Sequence, residues 1–374
     1  MPHSRRHWRA PLALLAGFLL AAAPALAASP SVASATQGET VTFSTDPVAN
    51  MTALTAPQTP AGSTLIFSND PEYVTGPGIL YRDNVQGAFR VFAYHVNAAG
   101  RNLYLGVVLT NPAKQAVTVD LSRLGVGGPN TDFPAVGKAG VHQWFLPFAA
   151  QALSIRGHSS AFLAASVDDT AVAPGQALNL IADATTSGPL QVAVVAQTQP
   201  TANIRKLSVL PNTYTSPAGT PMRGTFSQSA ESSLYTADAS GAGQYALHVD
   251  GSGDFLQGYS AVDGNAPTVD YGNYGVLYQD AFAVTPSAAT TASDFALLLN
   301  PRGGSFATAG RVDAGLAPAG LVSIPGDQES VSSVDQAVLL GDYGLTPGVT
   351  TTATVEWMPA AASNLPVDIL VYPY

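Results

Sequence analysis

The chain has 374 residues, and only 11% of them are charged, less than half of the roughly 25% found in an average soluble protein. With 15 basic against 25 acidic residues the net charge is −10, which argues against nucleic acid as a partner because phosphates need a basic patch. The sequence has no cysteine, which excludes disulfides, thiol nucleophiles and thiolate metal sites and leaves the core to hold the fold.

At the N-terminus, Arg5, Arg6 and Arg9 precede an uncharged apolar run from Leu12 to Ala23, and Ala25-Leu26-Ala27 follows with small residues. That order predicts a secretory signal peptide over residues 1–27, cleaved after Ala27. The run is shorter than the ~20 residues a membrane span requires. Cleavage would remove three of the 15 basic residues and none of the 25 acidic ones, taking the net charge from −10 to −13. The expected location is therefore secreted, extracellular or cell-surface, and periplasmic where the host has an outer membrane. No later segment reads as a membrane span, so an integral membrane protein is not expected after cleavage. A surface of Ser, Thr, Asn, Gln and Gly titrates little, which would suit an exterior of variable or acidic pH.

Residues 28–62 read as an N-terminal segment and linker, rich in Thr, Ala and Pro from Thr45 to Gly62. From residue 63 onward the pattern is all-β. Ala88–Val96, Leu103–Leu109 and Ala116–Leu121 are short β-branched and aromatic runs bounded by Gly, Asn, Pro or Asp. With 35 Gly and 28 Pro in the chain, no long helix is expected. The predicted architecture is two tandem β-sandwich domains of Greek-key or jelly-roll type, residues 63–199 and 224–374, with a Pro-rich linker over 200–223. Gly78–Asp83 is echoed by Gly275–Asp280, Val107–Pro112 by Leu297–Pro301, and Pro189–Ala196 by Pro366–Tyr372. Duplication of one sandwich is the favoured reading.

Ser68-Asn69-Asp70-Pro71-Glu72-Tyr73-Val74 with Gly78–Tyr81, then Arg223–Phe226, Gly272–Gly275 and Asn300–Gly304, resembles a family of secreted bacterial β-rich proteins of uncharacterised function. Some members carry a stalk domain of the copper amine oxidase N-terminal type, which is not expected here. The resemblance implies kinship over most of the mature chain and no particular activity.

Gly157-His158-Ser159-Ser160-Ala161 approximates a hydrolase nucleophile elbow, with Asp183 or Asp238 and His248 following in triad order. Its flanks read as strands and βαβ alternation is missing, so a polar turn is favoured. Asp250, Ser252 and Asp254 place oxygens at alternate positions as calcium loops do, with Asp263 or Asn265 as further ligands. An ordinary Asp-Gly turn is the simpler reading, and no other cofactor is expected. His95, His142, His158 and His248 show no ligand spacing and are expected to be structural.

Carbohydrate contact has positive support between Tyr259 and Tyr274, where Tyr259, Asp263, Asn265, Asp270, Tyr271, Asn273 and Tyr274 stand among glycines. Aromatic faces stack on sugars, and carboxylates and amides bind hydroxyls. The same tyrosines could instead complete the core and cap strands, and that is favoured. Arg302, between glycines, could hold an anion or a hydroxyl, although loop geometry explains it more simply. A glycosidase would need two carboxylates across a cleft; Asp83, Asp280 and Glu356 are available, but no spacing selects a pair. The expectation is a non-catalytic structural, adhesion or cell-surface protein contacting cell-wall or extracellular polysaccharide, the alternative a secreted hydrolase acting on polysaccharide.

Overall fold

The computed structural model describes residues 31–200, 214, 222–251, 253–288, 290–313, 315 and 320–374. The predicted signal peptide, most of the predicted 200–223 linker and Ser252 lie outside the described residues. The fold is all-β, with one sheet of twelve strands and two of six. No described helix is long and apolar enough to cross a membrane.

The large sheet is organised by two long strands, Gly78–Asn97 and Ala177–Gln197, paired antiparallel along almost their whole length. Their register breaks between Thr186 and Leu190, opposite Gly87 at φ 77°. Such a break bends a strand and lets the sheet fold over itself. On the inner side, Leu80 and Val85 from one arm meet Val91, Leu105, Leu180 and Val192 in a single core. The outer half of Gly78–Asn97 alternates between buried and exposed residues, but Phe89–Asn97 is buried throughout. The reason is that this arm separates two cores. Phe89 and Val91 face the first core, while Phe92, Tyr94 and Val96 face a second one. A strand covered on both faces reads as a continuous apolar run.

The second core lies between the two six-stranded sheets. One contains Gln244–His248, Asp294–Pro301, Gln336–Gly344 and Val367–Pro373; the other contains Ala230–Ala237, Leu277–Val284, Thr308–Val312 and Thr351–Trp357. Linker was the expectation for residues 28–62. Within that span, Thr40–Thr42 pairs with Gln336–Val338, Thr52–Ala53 with Gln244–Tyr245, and Thr59–Ala61 with Ser232–Ala230. The segment thus closes three sheet edges that would otherwise invite pairing with other chains. Val32 and Val41 also pack over the outer face of Ala296, Leu298, Leu339 and Leu370. Conversely, Arg223–Phe226, Leu256–Ser260 and Ala266–Asp270 extend the large sheet through Thr64–Ser68. The chain therefore crosses between the two sandwiches more than once.

The expectation of no long helix is corrected at Phe133–Phe145, a 13-residue α-helix. Asp132 caps it by accepting the Ala135 N–H at 3.1 Å. Val136, Gly140, Val141, Trp144 and Phe145 are buried at helical spacing. Its glycines suggest a broken segment in the sequence, yet they permit close contact. A Cβ on Gly140 would lie 2.3 Å from Asn179 Oδ1 of the large sheet, and one on Gly137 would lie 1.9 Å from the Ala361 carbonyl oxygen. The helix thereby touches both sandwiches. Lys138 Nζ donates to the carbonyls of Pro325, Gln328 and Glu329 at 2.9–3.1 Å, tying it to the second.

Of the sequence echoes, Asn111 and Asn300 do the same work. Each is fully buried at a strand end and donates its amide to two backbone carbonyls, of Gln115 and Ile155 in one case and of Val334 and Gln336 in the other.

Candidate functional site

The residues singled out between Tyr259 and Tyr274 divide among three surroundings. Asp263 grips Arg223 through both carboxylate oxygens, at 2.7 and 3.0 Å. The Arg223 guanidinium is fully buried and also donates to the carbonyls of Asp70, Leu80 and Tyr214. This Asp is therefore committed to fixing the junction of the large sheet. Asp270 and Asn273 have no exposed surface to offer a sugar. Burial raises the Asp270 carboxyl to about 7, opposed by the N–H groups of Tyr274, Gly272 and Asn273. Asn273 accepts the Leu256 N–H and donates to the Asp254 carbonyl and the Tyr278 hydroxyl. Tyr259 and Tyr271 are exposed, Tyr271 resting edge-on against Phe255 at 5.5 Å, and Asn265 is an exposed turn residue at φ 61°.

The predicted calcium loop closes on itself. Asp254 accepts the N–H of Val249 and, at 3.2 Å, the amide of Gln58. Asp250 is exposed at the same turn. Among the described residues no group of three or more His, Asp or Glu side chains converges as a metal site would.

The other reactive-looking strings are also engaged elsewhere. Ser159 and His158 form a turn between the strands Gln151–Ile155 and Ser160–Phe162, so the serine leads directly into a strand and not into a helix as an elbow requires. Asp183 pairs with Arg90, and His248 belongs to the second core. Arg302 binds Asp46 of the N-terminal segment at 2.8 Å and Asp368 at 3.3 Å. A Ser–His pair does exist between Ser68 and His95, 3.0 Å apart, but both are enclosed in the first core. His95 also bonds the Pro71 carbonyl through Nδ1, and burial lowers it to about 4, so it stays neutral.

Asp280 and Glu356 come together, with Arg311 and Asp313, around an open cavity of about 530 Å³, while Tyr274, the last of the seven residues, leads to a smaller and more enclosed site. It leaves its own loop to stack on Phe67 and Phe92, with centroids 6.4 and 6.3 Å apart, and its hydroxyl donates to the Ser363 carbonyl at 2.6 Å. Gly275, next in the chain, makes this possible. At φ 84° it follows a path disfavoured for other residues, and a Cβ there would lie 2.9 Å from that of Phe92.

Here the two sandwiches enclose a cleft of about 260 Å³. Asn69, Glu72, Phe92, Tyr94 and Met222 line it from one side, and Tyr274 and residues 361–364 from the other. The hydroxyl of Tyr94 and the amide oxygen of Asn69 are buried without a hydrogen-bond partner. Unpaired buried polar atoms of this kind cost about 1–3 kcal/mol each. Burial raises the Glu72 carboxyl above its ordinary range. No Lys or Arg lines the cleft, so the only charge its walls can carry is negative. One wall residue, Ala362, sits at φ 61°, a conformation that costs a non-glycine residue about 1–2 kcal/mol.

Sequence reasoning missed Asn69, Glu72, Tyr94 and Asn364 as partners in one site. The available signal was the Ser68–Val74 string, where polar turn residues run directly into an aromatic.

Compared with known proteins, the chain matches no family model and no curated protein.

Proposed function

We propose that this is an exported, non-catalytic binding protein of the cell surface or exterior, using the cleft between its sandwiches to contact polysaccharide. One observation carries the reading: a preformed cleft lined by the aromatic residues Phe92, Tyr94 and Tyr274 together with the polar side chains of Asn69, Glu72, Ser363 and Asn364. Sugar rings present apolar C–H faces to aromatics and hydroxyls to polar groups, and a pocket of few polar groups on an apolar frame suits them. A glycosidase requires a pair of carboxyl groups across the scissile bond; Glu72 is the single carboxyl in this lining, while Asp280, Asp313 and Glu356, around the separate cavity, accept hydrogen bonds from Trp357, Tyr343 and Gln279. The Lys138 clamp and the glycine-seated helix hold the two walls together, so the site needs little reorganisation to bind.

The test is a glycan array with the purified protein, paired with an assay for reducing ends released from the same glycans. Binding without release supports the reading. Release of reducing ends would replace it with the hydrolase alternative, and no binding to any glycan would remove it. Fractionation of cells into wall, membrane and medium tests the location, and retention in the cytoplasm would overturn it.

A further inference from the structure

The cleft is smaller than the ~300 Å³ at which pockets begin to enclose drug-sized ligands, so at about 260 Å³ it takes a single sugar-sized ring. An aromatic residue lies just outside it. Tyr73 follows the wall residue Glu72 and is 54% exposed, among the most exposed large side chains described. Its strand, Tyr73–Val74, runs parallel to Gly78–Asn97 with Tyr73 opposite Val96 and Val74 opposite Asn97.

Paired residues share a face of the sheet, and residues two apart along a strand share it too. Val74 points into the first core, whereas Val96 and Tyr94 face the second. Tyr73 must therefore stand on the face of Tyr94, one pair further out. Phe92, Tyr94 and Val96 occupy alternate positions of the same strand, spanning about 13 Å at the usual rise. Phe92, Tyr94 and Val96 are themselves almost fully buried, so Tyr73 is the ring on this face that stands open to solvent, beside the cleft-wall residue Glu72.

We infer that the ligand is a linear, uncharged polysaccharide that seats one sugar unit in the cleft and lays the next across Tyr73. This rests on the proposed polysaccharide-binding function and specifies its ligand. Neutrality follows from the lining: no cation stands ready for a uronate or sulfate, and burial favours the uncharged form of Glu72, the one carboxyl there, over a form that would attract a cationic sugar. Chain length follows from Tyr73, an exposed ring beside the cleft wall that a lone sugar in the cleft would not reach.

The experiment is calorimetric titration of the full mature protein with neutral oligosaccharides of one to six units and with uronate oligomers of matching length. The neutral set covers gluco-, manno-, xylo- and galacto-series. Wild-type affinity is expected to rise from one unit to two and then level off. Tyr73→Ala should weaken the longer ligands about tenfold, a loss of about 1.4 kcal/mol, while leaving the single sugar unchanged and the melting temperature intact. Tyr94→Phe, which removes only the hydroxyl, should weaken every length equally. Affinity independent of length, or Tyr73→Ala behaving as wild type, would overturn this inference while leaving polysaccharide binding standing. Preference for the uronate series would overturn its neutrality. Failure of every saccharide in both series would remove the binding function and this inference with it.

Discussion

In the first core, His95 places one ring nitrogen on Ser68 and the other on the Pro71 carbonyl; where the large sheet meets the second core, Arg90 holds both oxygens of Asp183 at 2.6 and 2.9 Å. In the second, His248 finds a hydrogen bond for neither nitrogen. Its nearest acid is Asp280, 3.6 Å away, inside a cage of Tyr235, Tyr278 and Trp357. Asp280 Oδ1 and Glu231 Oε2 are unpartnered as well. Satisfied buried groups specify a structure, whereas half-satisfied ones cost stability and respond to pH. The first half has unpaired buried atoms too, among them Asn69 Oδ1, Tyr94 Oη, Asn179 Oδ1 and one oxygen of Asp168, whose other oxygen accepts the Val107 N–H.

Breaking the satisfied arrangement should cost most. Arg90 also donates to the carbonyls of Ser229 and Gly275, and its guanidinium lies 4.5 Å over the Trp144 ring. Arg90→Met should strand Asp183 and destabilise the protein by about 3 kcal/mol, read by denaturant titration. A loss under 1 kcal/mol would mean the pair is as dispensable as a surface one.

Next comes the contact that joins the regions. Gly137→Ala forces a methyl group against the Ala361 carbonyl and should cost about 2 kcal/mol. It should also loosen the cleft wall at residues 361–364. Hydrogen exchange should show faster opening there, and unchanged exchange would detach the helix from the site.

The pH dependence follows from the buried acids. Glu231, Asp270 and Asp368 are raised to about 7 and Asp168 to about 8, each with burial as the largest cause. A folded pKa above the unfolded one gives stability that is complete below the unfolded value and lost as pH rises through the folded one. His95, lowered to about 4, acts in the opposite sense, losing stability as pH falls from 6.5 towards 4. Four acids outweigh one histidine, so the melting temperature should be higher at pH 5 than at pH 8.5. A higher value at pH 8.5 would contradict the burial that these shifts express.

The smallest effect separates the two cores most cleanly. Glu231→Gln removes a charge that the second core leaves half-paired, and at pH 8.5 it should stabilise by about 1 kcal/mol. Destabilisation would show that the carboxyl has a partner essential to the fold.

Much of this architecture was legible in the residues. The alternation of Leu277–Val284 and the bounded apolar runs announced strands, and the Asn111 and Asn300 turns were visible as related strings. The Phe133–Phe145 helix was not, because its glycines, there for close packing, carry the same letters as glycines that break helices. The site was half visible. Tyr274 was named for its neighbours in sequence, while its partners in space, Asn69, Glu72 and Tyr94, lie some 180–205 positions earlier in the chain.

The amino-acid order alone determined that the chain is β-rich and cysteine-free and must be held by its apolar core. Tertiary structure alone decided that Thr40 would pair with Val338, that Asp263 would serve Arg223, and that two sandwiches would share a cleft. The reason is physical. A two-residue period states which face of a strand is buried, but the identity of the strand that covers it depends on packing among segments hundreds of residues apart.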